Sequence, residues 1–149
     1  MTRKEELYQA CLRQINKRIN NIQKRLMDIE TARNKAVKST AGDKFETDRA
    51  MMQMKEEELN VQMIQAVSVR QNLQKIKSMP PSDRAQLGSL VETSKGSYYL
   101  SIGIGKVILE GEMYYCISTQ SPIGQLLLNR KKGDEITFRD QPLLVRRLD

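Results

Sequence analysis

The sequence predicts an α+β protein, with an N-terminal antiparallel two-helix coiled-coil hairpin followed by a small antiparallel-sheet domain with one short helix. Three observations carry this prediction. Residues 1–41 and 46–78 contain neither glycine nor proline, and their apolar residues recur at helical spacing. Pro80 and Pro81 then break the helical pattern. Beyond them, short runs rich in β-branched and aromatic residues alternate with glycines, which is typical of strands and turns.

The first helix carries a narrow apolar stripe. Its members follow one another at alternating steps of four and three residues: Tyr8, Leu12, Ile15, Ile19, Ile22, Leu26 and Ile29. This heptad spacing is typical of a coiled coil. The second helix has a looser stripe, formed by Met52, Leu59, Met63, Ala66, Val69, Leu73 and Ile76. Because each helix alone would leave its stripe in water, the short break at Gly42 favours an antiparallel hairpin over an intermolecular coiled coil.

The second half of the chain predicts five strands and one short helix. Candidate strands cover 98–102, 106–109, 113–118, 135–139 and 143–148. Between the third and fourth of these, Ser121 and Pro122 predict the start of a helix, since serine caps helices and proline fits the first turn. The predicted organisation is therefore a hairpin over 1–79 with an acidic tip at 42–48, a linker over 80–87 and a domain over 88–149.

Composition excludes several kinds of chemistry. The 149-residue chain has no histidine and only two cysteines, Cys11 and Cys116, far apart in the sequence. A zinc site built from histidine or cysteine within one chain and a Ser–His or Cys–His nucleophile are thereby excluded. We expect the two cysteines to be reduced. The N-terminus lacks the apolar stretch of a signal peptide, and no 18-residue apolar run occurs, so we expect a cytoplasmic protein without membrane contact.

The net charge of +7 is concentrated in the first half. Eight basic residues lie between positions 13 and 38, against only Asp28 and Glu30: Arg13, Lys17, Arg18, Lys24, Arg25, Arg33, Lys35 and Lys38. A basic helix face of this kind suits a polyanion, but it is equally typical of a solvated helix surface.

One segment of the second half resembles a known family. Residues 117–134 read ISTQSPIGQLLLNRKKGD. This run resembles the S-P-[LI]-[AG]…L-[IL]-[GN]-[KR]…G-D signature of the Gre transcript-cleavage factors, and 87–91 look like the opening of the same domain. The resemblance implies an N-terminal helical hairpin and an FKBP-like C-terminal domain at 88–149.

The bend of the hairpin resembles the same family in part. Gre hairpins carry a G-D-x-x-E-N-A-E-Y bend, and Gly42, Asp43 and Glu46 match its first part in register. Thr47 replaces the asparagine, and residues 48–50 depart from the A-E-Y that follows. These departures indicate a divergent branch of the family.

The resemblance implies a function. A Gre hairpin enters the secondary channel of bacterial RNA polymerase, where its acidic tip helps to hold Mg²⁺ and position a water that cleaves a backtracked transcript. Asp43 and Glu46 would be the catalytic, metal-positioning residues, with Asp48 as a candidate third acid. Such a factor is not an enzyme by itself. It binds no cofactor stably and shares Mg²⁺ with the polymerase. We expect a monomer.

The resemblance also assigns contact residues. Near the tip, the nascent RNA 3′ end or the channel wall would be contacted by Arg33, Lys35, Lys38 and Lys44. At the short helix of the C-terminal domain, the polymerase would be met by Ser121, Pro122 and Ile123.

Three alternatives stay open at this stage. Asp43 and Glu46 also fit a helix N-cap with a capping box. A channel-binding factor with this altered tip would regulate the polymerase without stimulating cleavage. A structural coiled-coil protein that oligomerises would need no polymerase.

Overall fold

The computed structural model describes the backbone of residues 1–38 and 42–149, and the side chains of residues 1–35 and 46–149. Two long helices come first, α1 at Arg3–Lys38 and α2 at Gly42–Gln74, and a short 3₁₀ turn follows at Lys75–Ser78. Six strands and one short helix complete the chain, which confirms the predicted α+β class. The break was predicted at Gly42, which begins α2, and the preceding residues of that turn, 39–41, lie outside the described residues.

The chain divides into two compact units. We call Ile15–Arg70 the helical unit. The other, which we call the sheet unit, combines Met1–Gln14 with Gln71–Asp149. The first turns of α1 and the last turn of α2 therefore belong to the same compact unit as the strands.

In the helical unit, the two helices pack along their apolar stripes. Ile15, Ile19 and Ile22 of α1 are buried, as are Leu59 and Ala66 of α2. The helices run antiparallel, because the side chain of Arg70, late in α2, donates a hydrogen bond to the Asn16 side chain, early in α1, at 3.0 Å. The heptad stripe thus correctly predicted both the helices and the faces that they bury.

The sheet unit contains one six-stranded sheet with the strand order β3-β4-β2-β1-β6-β5. Its elements are β1 (Leu90–Thr93), β2 (Gly96–Ser101), β3 (Gly105–Leu109), β4 (Glu112–Ser118), α3 (Pro122–Leu127), β5 (Glu135–Phe138) and β6 (Gln141–Leu148). The sequence predicted five of these strands and missed β1.

The sheet is mostly rather than wholly antiparallel, which corrects the prediction. Strands β2 and β4 pair in parallel, with Tyr99 opposite Cys116. The reason is topological. β3 and β4 form a hairpin, and β4 rather than β3 lies beside β2, so the second strand of the hairpin runs in the same direction as β2.

The sheet has a different partner on each face. On one face, α3 packs Ile123 and Leu127 into a core that also contains Ala85, Val91, Leu100, Ile136, Leu143 and Val145. Side chains alternate between the two faces of a strand, so Tyr99 and Ser101 point away from this core. There they meet the start of α1, where the Cys11 sulfur lies 3.5 Å from the Ser101 hydroxyl oxygen.

The segment predicted as a linker, 80–87, is fixed to the sheet unit at Ala85. This alanine is buried, its backbone N–H donates to the carbonyl of Arg130 at 2.7 Å, and its carbonyl accepts from the amide of Asn129 at 2.8 Å. Further along, Gly88 has a φ of 92°, and a Cβ added there would lie 2.7 Å from the Cγ2 atom of Ile76.

We expect Gly88→Ala to lower the free energy of unfolding by about 1–3 kcal/mol, for two reasons. Alanine is strained at a positive φ, and its Cβ would clash with the side chain of Ile76. Urea denaturation followed by circular dichroism measures the change. The matched control is Gly103→Ala, where an added Cβ has no neighbour within 4 Å. Equal losses in the two variants would contradict the assigned role of Gly88.

Candidate functional site

The predicted acidic tip lies where the two helices meet the break between them. α1 ends at Lys38 and α2 begins at Gly42, so the acidic segment forms the first turns of α2. The side chains of Lys38, Asp43 and Lys44 lie outside the described residues. Of the three acids predicted at the tip, the structure describes the side chains of Glu46 and Asp48, and both are exposed to solvent.

The helix start bears on the capping alternative. α2 begins one residue before Asp43, so Asp43 occupies the second helical position and Glu46 the fifth. A capping box needs its serine, threonine or acid at the N-cap and its glutamate at the third helical position. Residues 39–41, which precede this start, lie outside the described residues, so the capping alternative stays open. Acids early in a helix also interact favourably with the helix dipole, by about 0.3–1 kcal/mol each.

The helical geometry separates Asp48 from Glu46. Residues that are two positions apart in an α-helix point roughly 200° apart around its axis. The carboxylates of Glu46 and Asp48 therefore leave nearly opposite sides of α2. Backbone positions 43 and 46, by contrast, are three apart and share one side. A single small cation would therefore be reached from positions 43 and 46 but not from position 48.

Arg33, predicted to contact RNA or polymerase, has a partner within the helical unit. Its guanidinium forms an ion pair with the carboxylate of Glu56, and the two side chains are 40% and 35% exposed. Arg33 lies four residues after Ile29 and so continues the apolar stripe of α1. Glu56 lies three residues before Leu59 and fills a position that the looser stripe of α2 had left open.

A second polar pair occupies the same seam. Arg70 lies four residues beyond Ala66, in step with the α2 stripe, and bonds Asn16 beside the stripe of α1. Polar residues within an apolar seam are the devices that fix register in coiled coils. The helical unit therefore has one such pair at each end of its described seam.

The exposed basic residues of the helical unit lie mainly on α1. Two rows of basic residues run along α1. Seven residues are about two helical turns, so Lys24 lies on the same side as Lys17, and Arg25 on the same side as Arg18. Lys35, nearer the tip, is exposed as well. Positions 42–70 hold more acidic than basic residues. A polyanion would accordingly be attracted to the α1 side of the unit.

The residues predicted to dock on polymerase form the start of α3. The Ser121 hydroxyl accepts a hydrogen bond from the amide of Gly124 at 3.1 Å and donates one to the carbonyl of Ser118 at 2.6 Å. This confirms the predicted serine cap. Pro122 is exposed, while Ile123 is buried in the core of the sheet unit. Of the three, Pro122 is the residue that a partner would reach directly.

Within 1–35 and 46–149, no group of three or more acids and cysteines is placed to hold a metal ion. No described helix is both long enough and apolar enough to span a membrane.

Comparison of the chain with protein-family models, curated proteins and solved structures found no match.

We expect Glu56→Arg to lower the free energy of unfolding by about 1 kcal/mol, because it places two like charges at a half-exposed seam position. The swap of Arg33→Glu with Glu56→Arg should restore most of that loss. Urea denaturation of the wild type, both single variants and the swap gives the coupling energy. Additive single effects would mean that the pair does not interact in solution.

Proposed function

We propose that this protein is a Gre-type transcription elongation factor of the cytoplasm. In this proposal, its helical hairpin enters the secondary channel of bacterial RNA polymerase, and Asp43 and Glu46 supply carboxylates to the polymerase active site. The polymerase then cleaves a backtracked transcript, and this chain is not an enzyme on its own. The assignment of the sheet unit as FKBP-like belongs to the same proposal.

The observation that carries the proposal is the exposure of Glu46 in the first turns of α2, at the end of a unit only two helices wide. An α-helix with its side chains is about 10–12 Å across. From Ile15 to the end of α1, the helical part of this unit reaches roughly 35 Å. Such a slender unit fits a narrow channel that a globular domain would not enter.

The donor set fits a shared Mg²⁺. This ion prefers oxygen ligands, and it is commonly bound through one or two carboxylates with phosphates and waters. When bound in the polymerase, it stabilises the attacking and leaving oxygens of phosphoryl transfer. The contribution of this chain is anionic oxygen on one side of α2, at positions 43 and 46. Asp48 lies on another side of the helix, so the proposal assigns the metal role to the first two acids alone.

The same geometry refines the proposed nucleic-acid contacts. Arg33 is engaged with Glu56, so we assign it to the seam. Lys35 is exposed and stays a proposed contact, together with Lys38 and Lys44 from the resemblance. The rows of basic residues farther along α1 would favour association with a negatively charged channel or with RNA.

We expect the double variant Asp43→Asn, Glu46→Gln to abolish stimulated transcript cleavage, while the lost interactions with the helix dipole lower the melting temperature by only a few degrees and leave the protein folded. Both substitutions remove the anionic charge that a metal requires and keep similar shape. The assay uses a stalled, backtracked elongation complex of bacterial RNA polymerase, with and without this protein. The matched control is Asp48→Asn, which should cleave like the wild type. Full cleavage by the double variant would refute the role assigned to the two acids.

A regulator without cleavage activity is a second candidate, favoured by one specific observation. Asp48 stands where the family bend has an alanine, and Arg49 stands where it has a glutamate. Both side chains are exposed. They alter the charge that the tip would bring to the reaction centre. For this candidate, the wild type would bind polymerase and change synthesis rates but leave the backtracked transcript intact in the same assay.

A structural coiled-coil protein is the remaining candidate. It is favoured by four exposed apolar residues on α2, which lie within an arc of roughly 140° around the helix: Met51, Met54, Val61 and Ile64. Exposed apolar stripes mark association sites in many proteins. Sedimentation analysis and co-purification with polymerase separate this candidate from the other two. Self-association without polymerase binding would favour it.

A further inference from the structure

One side of α2 presents large apolar side chains to solvent. Met51, Met54, Val61 and Ile64 are between 55% and 71% exposed, and we call these four residues the outer face of α2. All four belong to the helical unit. Among the described α1 residues of that unit, only Met27 is a large apolar residue of comparable exposure. The exposed apolar surface of the helical unit is therefore concentrated on α2.

The outer face lies across α2 from the seam. Val61 follows the buried Leu59 by two residues, and Ile64 precedes the buried Ala66 by two. Residues two positions apart in a helix point roughly 200° apart around its axis. α2 therefore turns one apolar side to α1 and a second apolar side to solvent. Apolar residues well beyond a single stripe are typical of a helix that is packed on more than one side.

Two acids lie in the middle of the outer face. Glu57 and Glu58 stand between Met54 and Val61 in the chain, and both are exposed. At about 100° per residue, both fall within the arc of roughly 140° that the four apolar residues span. Among the described residues of α2, no lysine or arginine falls within that arc. The outer face is thus apolar at both ends and negatively charged in the middle.

This pattern argues against a second copy of the chain as the partner. In a two-fold contact between two α2 helices that uses the whole face, the middle of the face meets itself. Glu57 and Glu58 of one chain would then approach the same acids of the other, and opposed like charges are unfavourable at an interface. The α1 helix of a second copy has the basic residues that the acids need, but Met27 is its only exposed large apolar residue in the described helical unit.

The length of the face limits the kind of complex. From Met51 to Ile64 it extends about 20 Å along the helix. A contact of that length between two helices buries less surface than the roughly 1,200–2,000 Å² of a stable complex. The outer face therefore fits a partner that binds transiently better than it fits a permanent oligomer.

We propose that the outer face of α2 is a docking site for a basic amphipathic helix of another protein. The apolar side of that helix packs on Met54 and Val61, and its flanking lysines or arginines pair with Glu57 and Glu58. The apolar contacts supply most of the affinity, while charge complementarity selects a basic partner over an acidic one.

This site is separate from the proposed tip and from the structural coiled-coil candidate. It uses the middle of α2 and neither of the acids at positions 43 and 46, so the outcome of the cleavage assay does not decide it. In the structural candidate, the same apolar residues would meet a second copy of this chain.

The test titrates the full-length protein into a fluorescein-labelled synthetic peptide of three heptads, with leucine on one side and lysine on the other, and follows the anisotropy. We expect saturable binding. The net charge of the protein is +7, so long-range attraction would favour an acidic peptide. Binding of the lysine peptide therefore reports a local acidic and apolar surface.

Two double variants locate the binding. Met54→Gln with Val61→Gln should weaken binding of the lysine peptide about tenfold or more, because it removes the apolar contacts. Glu57→Gln with Glu58→Gln should weaken it about threefold and reduce its dependence on salt. The matched control is Met27→Gln, an exposed apolar residue on α1 that should change nothing. Circular dichroism verifies that each variant is folded.

A second peptide, with glutamate in place of every lysine, controls for apolar binding alone. Whatever affinity it has should be the same for the wild type and for the Met54→Gln, Val61→Gln variant. Sedimentation of the protein without peptide tests for self-association.

Three results would overturn the proposal. The first is no binding of the lysine peptide. The second is binding that neither double variant weakens. The third is a dimer of the protein alone that the Met54→Gln, Val61→Gln variant dissociates, since the face would then belong to a second copy.

Discussion

The apolar seam between α1 and α2 is the interaction on which the helical unit depends. Helices of this kind are marginal in water by themselves, so their stability comes from burying one face against a partner. That burial comes from the apolar stripes of the two helices, with Ile15, Ile19 and Ile22 on α1 and Leu59 and Ala66 on α2. Aliphatic side chains specify that the helices pair, but they specify register only weakly. The polar pairs within the seam provide what the aliphatic contacts lack.

Register matters because it determines which side chains reach solvent at the tip. A shift of one residue rotates a helix face by roughly 100°, which would turn Glu46 toward a different side of the hairpin. The ion pair of Arg33 with Glu56 lies between the tip and the middle of the seam. Its two members are half-exposed, so their net contribution to stability is small. We expect their principal effect to be on register, since a polar pair within an apolar seam favours one alignment of α2 against α1.

The sequence predicted the features that depend on local periodicity and missed those that depend on long-range packing. The stripe from Ile15 to Ile29 was sufficient for the helices, and the four-residue step from Ile29 to Arg33 would have placed that arginine in the seam. The pairing of β2 beside β4 leaves no local signal, since periodicity gives a strand its faces but not its neighbours. For the same reason, the contact of Cys11 with Ser101 of β2 could not be predicted. At the tip, sequence supplied Asp43 and Glu46 only through the family resemblance.

The charge pattern of the hairpin bears on why acids would lie at the tip of a basic protein. A simple RNA-binding hairpin would extend its basic rows to the end, because carboxylates repel phosphates. Here the exposed basic rows follow α1, and positions 42–49 of α2 hold three acids and two basic residues. Carboxylates beside a phosphate backbone become favourable when a divalent cation lies between them, since the cation attracts both. Under the proposed function, the acids at positions 43 and 46 would act through such a cation rather than bind RNA directly.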